Sequence, residues 1–220
     1  MKTLAIISRK GGAGKTTLAV HLAVAAEALG IVTAIFDLDP QASAALWADH
    51  RGEQFPAVRP AQGPRLSVLL EQARAQDADL VIFDTPPEAD AIATDAANNA
   101  DAILIPCRPS PLDLDAIPAS VRIARNSGKP FFVLINAAPV QGVETEETRA
   151  ALSNAGVEVS PVVLHQRKAY AARMQEGRTA AEIEPNGKAA AEVRELLLWV
   201  CEKVIMLPKH QVIELTRKRA

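Results

Sequence analysis

Residues 9–17 read Arg9-Lys10-Gly11-Gly12-Ala13-Gly14-Lys15-Thr16-Thr17, directly after the apolar run Leu4-Ala5-Ile6-Ile7 and directly before a segment with helical spacing. Strand, glycine turn and helix in that order make an anion site. Glycines let backbone N–H groups turn inward around phosphate oxygens, and the helix N-terminus adds the positive end of its dipole. In such a loop Gly11, Gly12, Ala13, Gly14 and Thr17 are expected to contact the nucleotide. Lys15 would reach the β- and γ-phosphates, and the Thr16 hydroxyl would ligate Mg²⁺. The loop departs from the usual spacing at its first position, where Arg9 stands in place of glycine and Lys10 follows.

Outward from the loop, short continuous apolar runs alternate with helical patterns. The expected strands are Leu4 to Ser8, Thr33 to Asp37, Leu80 to Asp84, Ala102 to Pro106, Phe131 to Ile135 and Pro161 to Leu164. Runs without polar alternation suit strands buried on both faces of a parallel sheet. Leu18, Leu22, Ala25, Ala26 and Leu29 share one helical stripe that Gly30 ends, and Val193, Leu196, Leu197, Val200 and Val204 share another before Pro208. This alternation implies an α/β fold, a doubly wound, mostly parallel sheet flanked by helices. Residues 1–207 are expected to form one domain, and 208–220 a basic tail. Phe55 to Pro64, with three prolines, is expected to be a surface loop.

Two further strand ends carry carboxylates. Asp37-Leu38-Asp39-Pro40-Gln41 closes the second strand, with its paired acids at the ligand edge of the sheet. The same pair would also serve to cap the next helix. Leu80-Val81-Ile82-Phe83-Asp84-Thr85-Pro86-Pro87 is a buried strand ending in an aspartate placed to hold Mg²⁺, through water as that ion prefers.

Composition sets the outer limits. The chain has 220 residues, 49% of them apolar, with a net charge of −2, so it is neither disordered nor a globally basic nucleic-acid coat. Cys107 and Cys201 stand far apart and imply neither a disulfide framework nor a zinc site. The short apolar start does not suit a signal peptide, and no run reaches bilayer-spanning length, so a cytoplasmic protein is expected.

The loop with its extra Lys10, the Asp-x-Asp-Pro-Gln segment, Asp84-Thr85-Pro86-Pro87 and the loop Pro106-Cys107-Arg108-Pro109-Ser110-Pro111 together resemble the deviant Walker A ATPases, which include ParA and MinD. The resemblance spans at least Met1 to Asn136 and is nearest to short ParA-type proteins that lack an N-terminal helix-turn-helix. It implies that Lys10 crosses to the partner subunit's nucleotide in an ATP-dependent sandwich homodimer. Such a lysine acts as an arginine finger does in trans. It implies too that Asp39 orients or activates the attacking water, that Asp37 supports Mg²⁺ and the loop, and that Asn136 contacts adenine; a polar cap on a strand is the other role open to Asn136.

Relatives divide by what their ATP dimers bind. His165-Gln166-Arg167-Lys168-Ala169-Tyr170-Ala171-Ala172-Arg173, with Arg178 beyond, carries cations and no acid. Arg167, Lys168, Arg173 and Arg178 are therefore candidates for nonspecific DNA contacts, the alternative being solvated helix faces. The expected function is partition of a plasmid or chromosome, or positioning of another cargo. Hydrolysis would be stimulated by a ParB-like or other cargo-bound partner, and the ATP-bound dimer would sit on the nucleoid. A MinD-like membrane cycle is the weaker alternative, because Val212, Ile213 and Leu215 offer too small an apolar face for stable insertion. A metabolic ATP-dependent enzyme on the same fold is another. Paired-thiolate iron–sulfur chemistry is discounted, because Cys201 falls on the core stripe of the last helix.

Overall fold

A computed structural model describes residues 1–205. Along the chain lie β1 (Lys2–Ile6), α1 (Lys15–Ala28), β2 (Thr33–Asp37), α2 (Ser43–Arg51), β3 (Ala57–Pro60), α3 (Leu66–Ala75), β4 (Leu80–Asp84) and α4 (Asp90–Asn99). They are followed by β5 (Ala102–Cys107), α5 (Pro111–Ser127), β6 (Phe131–Ala138), α6 (Glu144–Asn154), β7 (Val159–His165), α7 (Lys168–Ala171), α8 (Ala180–Ile183) and α9 (Lys188–Val200). The seven strands form one sheet in the order β3-β2-β4-β1-β5-β6-β7, with every pairing parallel.

The continuous apolar runs follow from helices on both faces. Along β4, Leu80 and Ile82 enter the core under α1 and α9, while Val81 and Phe83 enter the opposite core with Leu66, Leu70 and Val121. Side chains alternate across a strand, so only a sheet covered twice keeps both sets from water. Helix α1 is buried on nearly every side, including Leu18, Val20, Leu22 and Val24. It stops as expected, with Gly30 at φ 80° just beyond its last turn. Cys201 lies in the core, and burial pushes its thiol up to about 11 and that of Cys107 up to about 12.

The stretch expected as a loop is not wholly one. Ala57–Pro60 is an edge strand pairing with β2 from Ala34↔Ala57 to Asp37↔Pro60, followed by a 3-10 turn at Gly63–Arg65. Proline lacks a donor, and an edge strand has a side where none is needed, so Pro60 is tolerated at its end. The tail from residue 208, with its basic and apolar candidates, lies outside the described residues.

Register builds the site. Asp37 and Ile6 are both in register with Asp84, which places three adjacent strand ends side by side where the chain leaves β1 for the glycine loop. The Thr85 hydroxyl donates to the Ile6 carbonyl at 2.9 Å and ties β4 to β1 at that edge.

Candidate nucleotide site

The loop between β1 and α1 depends on its glycines where the backbone turns left-handed. Gly12 and Gly14 have φ of 73° and 91°, and a Cβ on Gly14 would lie 2.5 Å from Nδ2 of Asn136. Asn136, on β6, donates 2.7 Å to the Ala13 carbonyl and so pins the loop across the sheet. From Gly11 to Thr17 no backbone N–H finds a partner among the described residues. A run of unpaired amides at a helix N-terminus is a cradle for anionic oxygens.

Lys15 turns inward beneath this cradle. Its ammonium donates to the Ser8 carbonyl at 3.0 Å and the Lys10 carbonyl at 3.3 Å. Burial lowers its pKa, while the Asp84 and Asp39 carboxylates work in the other direction. The Lys10 side chain is half-buried at the loop and has no partner among the described residues. Arg9, which replaces the expected first glycine, makes an ion pair with Asp90 at 2.9 Å, although the Nε–H is not aimed for a hydrogen bond.

Asp84 is fully buried, and neither carboxylate oxygen meets a donor among the described residues. Burial pushes its pKa up to about 7. The Thr16 hydroxyl, near but short of hydrogen-bonding geometry, opposes the rise, as does Lys15. An unpaired buried carboxylate beside a threonine hydroxyl suits a hard divalent cation, so the residues present fit Mg²⁺ at Thr16 and Asp84.

The paired acids part company. Asp37 is buried and accepts from the N–H groups of Asp39 at 3.1 Å, Ala44 at 2.9 Å and Ala45 at 3.0 Å. It thereby supplies the side-chain cap that α2 lacks at its own N-cap residue, Ala42. The structure thus gives Asp37 the helix-capping role that the sequence left open to the pair beside support of the metal. Asp39 is half-buried. Its Oδ1 accepts from Gln41 N–H at 2.9 Å, and no donor among the described residues reaches its Oδ2. It borders a cleft of about 770 Å³ shared with Asp37, Arg59 and Arg65.

On the other flank of the loop lies a cavity of about 280 Å³ lined by Gly14, Thr17, His21, Asn136, Arg167 and Tyr170. Its floor is held by residues that sequence spacing did not bring together. Glu192 on α9 accepts from His165 Nδ1 at 2.8 Å, Arg167 Nη2 at 2.6 Å and Tyr170 hydroxyl at 2.9 Å. His21 links α1 to α8: Nε2 accepts from Ala180 N–H at 3.2 Å, so Nδ1 carries the proton and donates to the Thr17 carbonyl at 2.8 Å.

Burial lowers the His21 pKa to about 4 from 6.5. A histidine whose folded pKa is depressed binds its proton more readily when unfolded. Its contribution to stability is therefore complete above pH 6.5 and lost as pH falls through about 4. The shift corresponds to about 3 kcal/mol at the acid end. Urea titrations from pH 7 to 4 should show wild type losing more stability than His21→Gln, and equal losses would contradict this account.

The basic run is less exposed than its charge count implies. Arg167 is bound to Glu192 and faces the cavity, and Arg173 is paired with Glu176 at 2.8 Å on the surface. Lys168 and Arg178 are exposed. The Ser110 hydroxyl caps α5, accepting from Asp113 N–H at 3.2 Å with Pro111 in the first turn, which explains the Pro-Ser-Pro pattern locally.

Residues 4–180 match the sequence profile of the CobQ/CobB/MinD/ParA nucleotide binding domain. The chain is 34% identical over 208 residues to the maintenance of carboxysome distribution protein A of Gloeobacter kilaueensis, covering 92% of this chain and 94% of that protein. It is 29% identical to protein ParA of Rhizobium radiobacter, covering 80% and 84%. Among solved structures, the septum site-determining protein MinD of Pyrococcus horikoshii, complexed with Mg-ADP, superposes with a TM-score of 0.75 at 18% identity, over 90% of this chain and 95% of that one. A single-substitution variant of McdA from Cyanothece, in complex with ATP, superposes with a TM-score of 0.67 at 19% identity, over 90% and 96%. The chain belongs to the CobQ/CobB/MinD/ParA family of nucleotide-binding domains.

Proposed function

We propose that this chain is an ATP-driven positioning switch of the ParA type. ATP with Mg²⁺ closes a homodimer, the dimer holds DNA without sequence preference, and a ParB-like or other cargo-bound partner stimulates hydrolysis and release. Mg²⁺ at Thr16 and Asp84 would neutralise charge on the phosphates. Lys15 grips the nucleotide of its own loop, Asp39 orients water, and Asn136 holds the loop in shape beside the base cavity. The observation that carries the reading is the division of labour between two lysines of one loop. Lys15 is committed inward, while the Lys10 ammonium has no partner among the described residues of its own chain. A second cation free to reach across a two-fold axis is what a nucleotide sandwiched between subunits requires. The names of the relatives, concerned with carboxysome distribution and with ParA, support a positioning role.

Residues 1–207 would suffice for the switch, with 208–220 a basic appendage. No described helix is long and apolar enough to cross a membrane. DNA would be held by Lys168 and Arg178, joined by Arg173, whose exposed pairing with Glu176 is weak and yields to phosphate. Arg167 supports the cavity more than the DNA surface.

The test combines sizing with co-sedimentation on DNA and on anionic vesicles, each with ATP and with ADP. Wild type should dimerise and bind any duplex with ATP only, with affinity falling steeply as salt rises. Lys10→Ala should bind ATP yet stay monomeric. Lys168→Glu with Arg178→Glu should dimerise and lose DNA. A dimer that ignores DNA and follows vesicles would replace this reading with a membrane cycle; normal dimerisation of Lys10→Ala would remove the role of that lysine.

A further inference from the structure

Arg108 is the first residue after β5, on the loop that precedes α5. Its backbone is fixed, because its carbonyl accepts from Ser110 N–H at 2.8 Å and from the Cys107 thiol at 3.3 Å. Its side chain is exposed and has neither an ion pair nor a hydrogen bond among the described residues. Two neighbouring arginines are engaged instead, Arg9 with Asp90 and Arg167 with Glu192. The Arg108 guanidinium nevertheless lies toward the loop. Its Nη2 lies 3.7 Å from where a Cβ on Gly12 would stand, and the residue borders the base cavity with Gly14 and Thr17. An unpaired guanidinium thus lies over a glycine of the loop whose amides are unpaired, between that loop and the cavity.

We propose that Arg108 is a nucleotide-binding residue that closes over the loop and contacts the α,β-phosphates of a bound nucleoside di- or triphosphate in its own subunit. The proposal rests on the nucleotide reading of the loop. A planar guanidinium offers several donors to phosphate oxygens and stays charged at any working pH. Lys15 approaches from beneath the loop, and Arg108 from the cavity side. The two cations therefore do not duplicate each other. A contact to the α,β-phosphates is common to ADP and ATP, which separates it from a contact made only to the γ-phosphate.

Nucleotide affinity measured by calorimetry with ADP and with a nonhydrolysable ATP analogue tests this, using wild type, Arg108→Ala, Arg108→Lys and Lys15→Ala. Arg108→Ala should weaken both nucleotides about tenfold at low salt, by loss of a charge-assisted contact. The loss should shrink at high salt, and Arg108→Lys should recover part of it. The melting temperature without nucleotide should not change, because the side chain supports no other group. Unchanged affinities in Arg108→Ala, beside lost binding in Lys15→Ala, would overturn the proposal and leave the nucleotide site intact. A loss confined to the ATP analogue would also overturn it. Wild type that binds neither nucleotide would overturn the proposal and the site reading together.

Discussion

Lys15→Ala is expected to weaken ATP binding at least a hundredfold while leaving a folded protein. The side chain is buried at the base of the loop, oriented by the Ser8 and Lys10 carbonyls, and shares its surroundings with Asp84 and Asp39. Charge-assisted hydrogen bonds contribute about 1.5–3 kcal/mol each, and two such contacts to phosphate oxygens account for about two decades or more of affinity. Alanine also leaves the buried Asp84 carboxylate without the cation that opposes its rise in pKa. The carboxyl then holds its proton more strongly. Calorimetry with ATP and Mg²⁺, beside circular dichroism of the free protein, separates loss of binding from loss of fold. A folded Lys15→Ala protein with wild-type affinity would mean that the unpaired amides of the loop do not hold phosphate.

What could be read from residues alone was whatever is contiguous or ends a strand. The glycine loop is one unbroken run, and Asp37 and Asp84 each close a continuous apolar segment, so local pattern located all three. Parallel register then brought the two acids together. The short edge strand β3 escaped because Pro56, Pro60 and Pro64 read as turn residues, and its pairing with β2 is set by packing at a distance. Asn136 reaches Ala13 across 123 residues of chain, and Arg108 comes beside Gly12 across 96, approaches that no periodicity encodes. Counting charges from His165 to Arg173 gave a basic surface, yet Glu192, 25 residues beyond Arg167, neutralises part of it. A sequence shows where charge is concentrated; only the fold shows which charges have already been answered.

The two carboxylates of the Asp37-Leu38-Asp39 segment should fail in different ways, and Asp39→Ala is the sharper test. Hydrolysis is expected to fall at least a hundredfold with ATP affinity retained, so that the ATP-bound dimer accumulates without any analogue. Asp39 is held rather than mobile: its own N–H donates to Asp37, and its Oδ1 accepts from Gln41 N–H. Oδ2 meets no donor among the described residues and is available to a water molecule beside the loop. A positioned carboxylate that orients or accepts a proton from water contributes about 10²–10⁴-fold, which sets the size of the loss. Asp37→Ala removes three backbone hydrogen bonds, two of them at the start of α2. It should lower the melting temperature, with losing the α2 cap alone costing about 0.5–2 kcal/mol, and reduce turnover only through a displaced Asp39. Phosphate release with MgATP, sizing and thermal melting on both variants distinguish these outcomes. Wild-type turnover in Asp39→Ala would move activation of water to another group. Asp37 could take that role only if the N-terminus of α2 gave up the bonds that now occupy it.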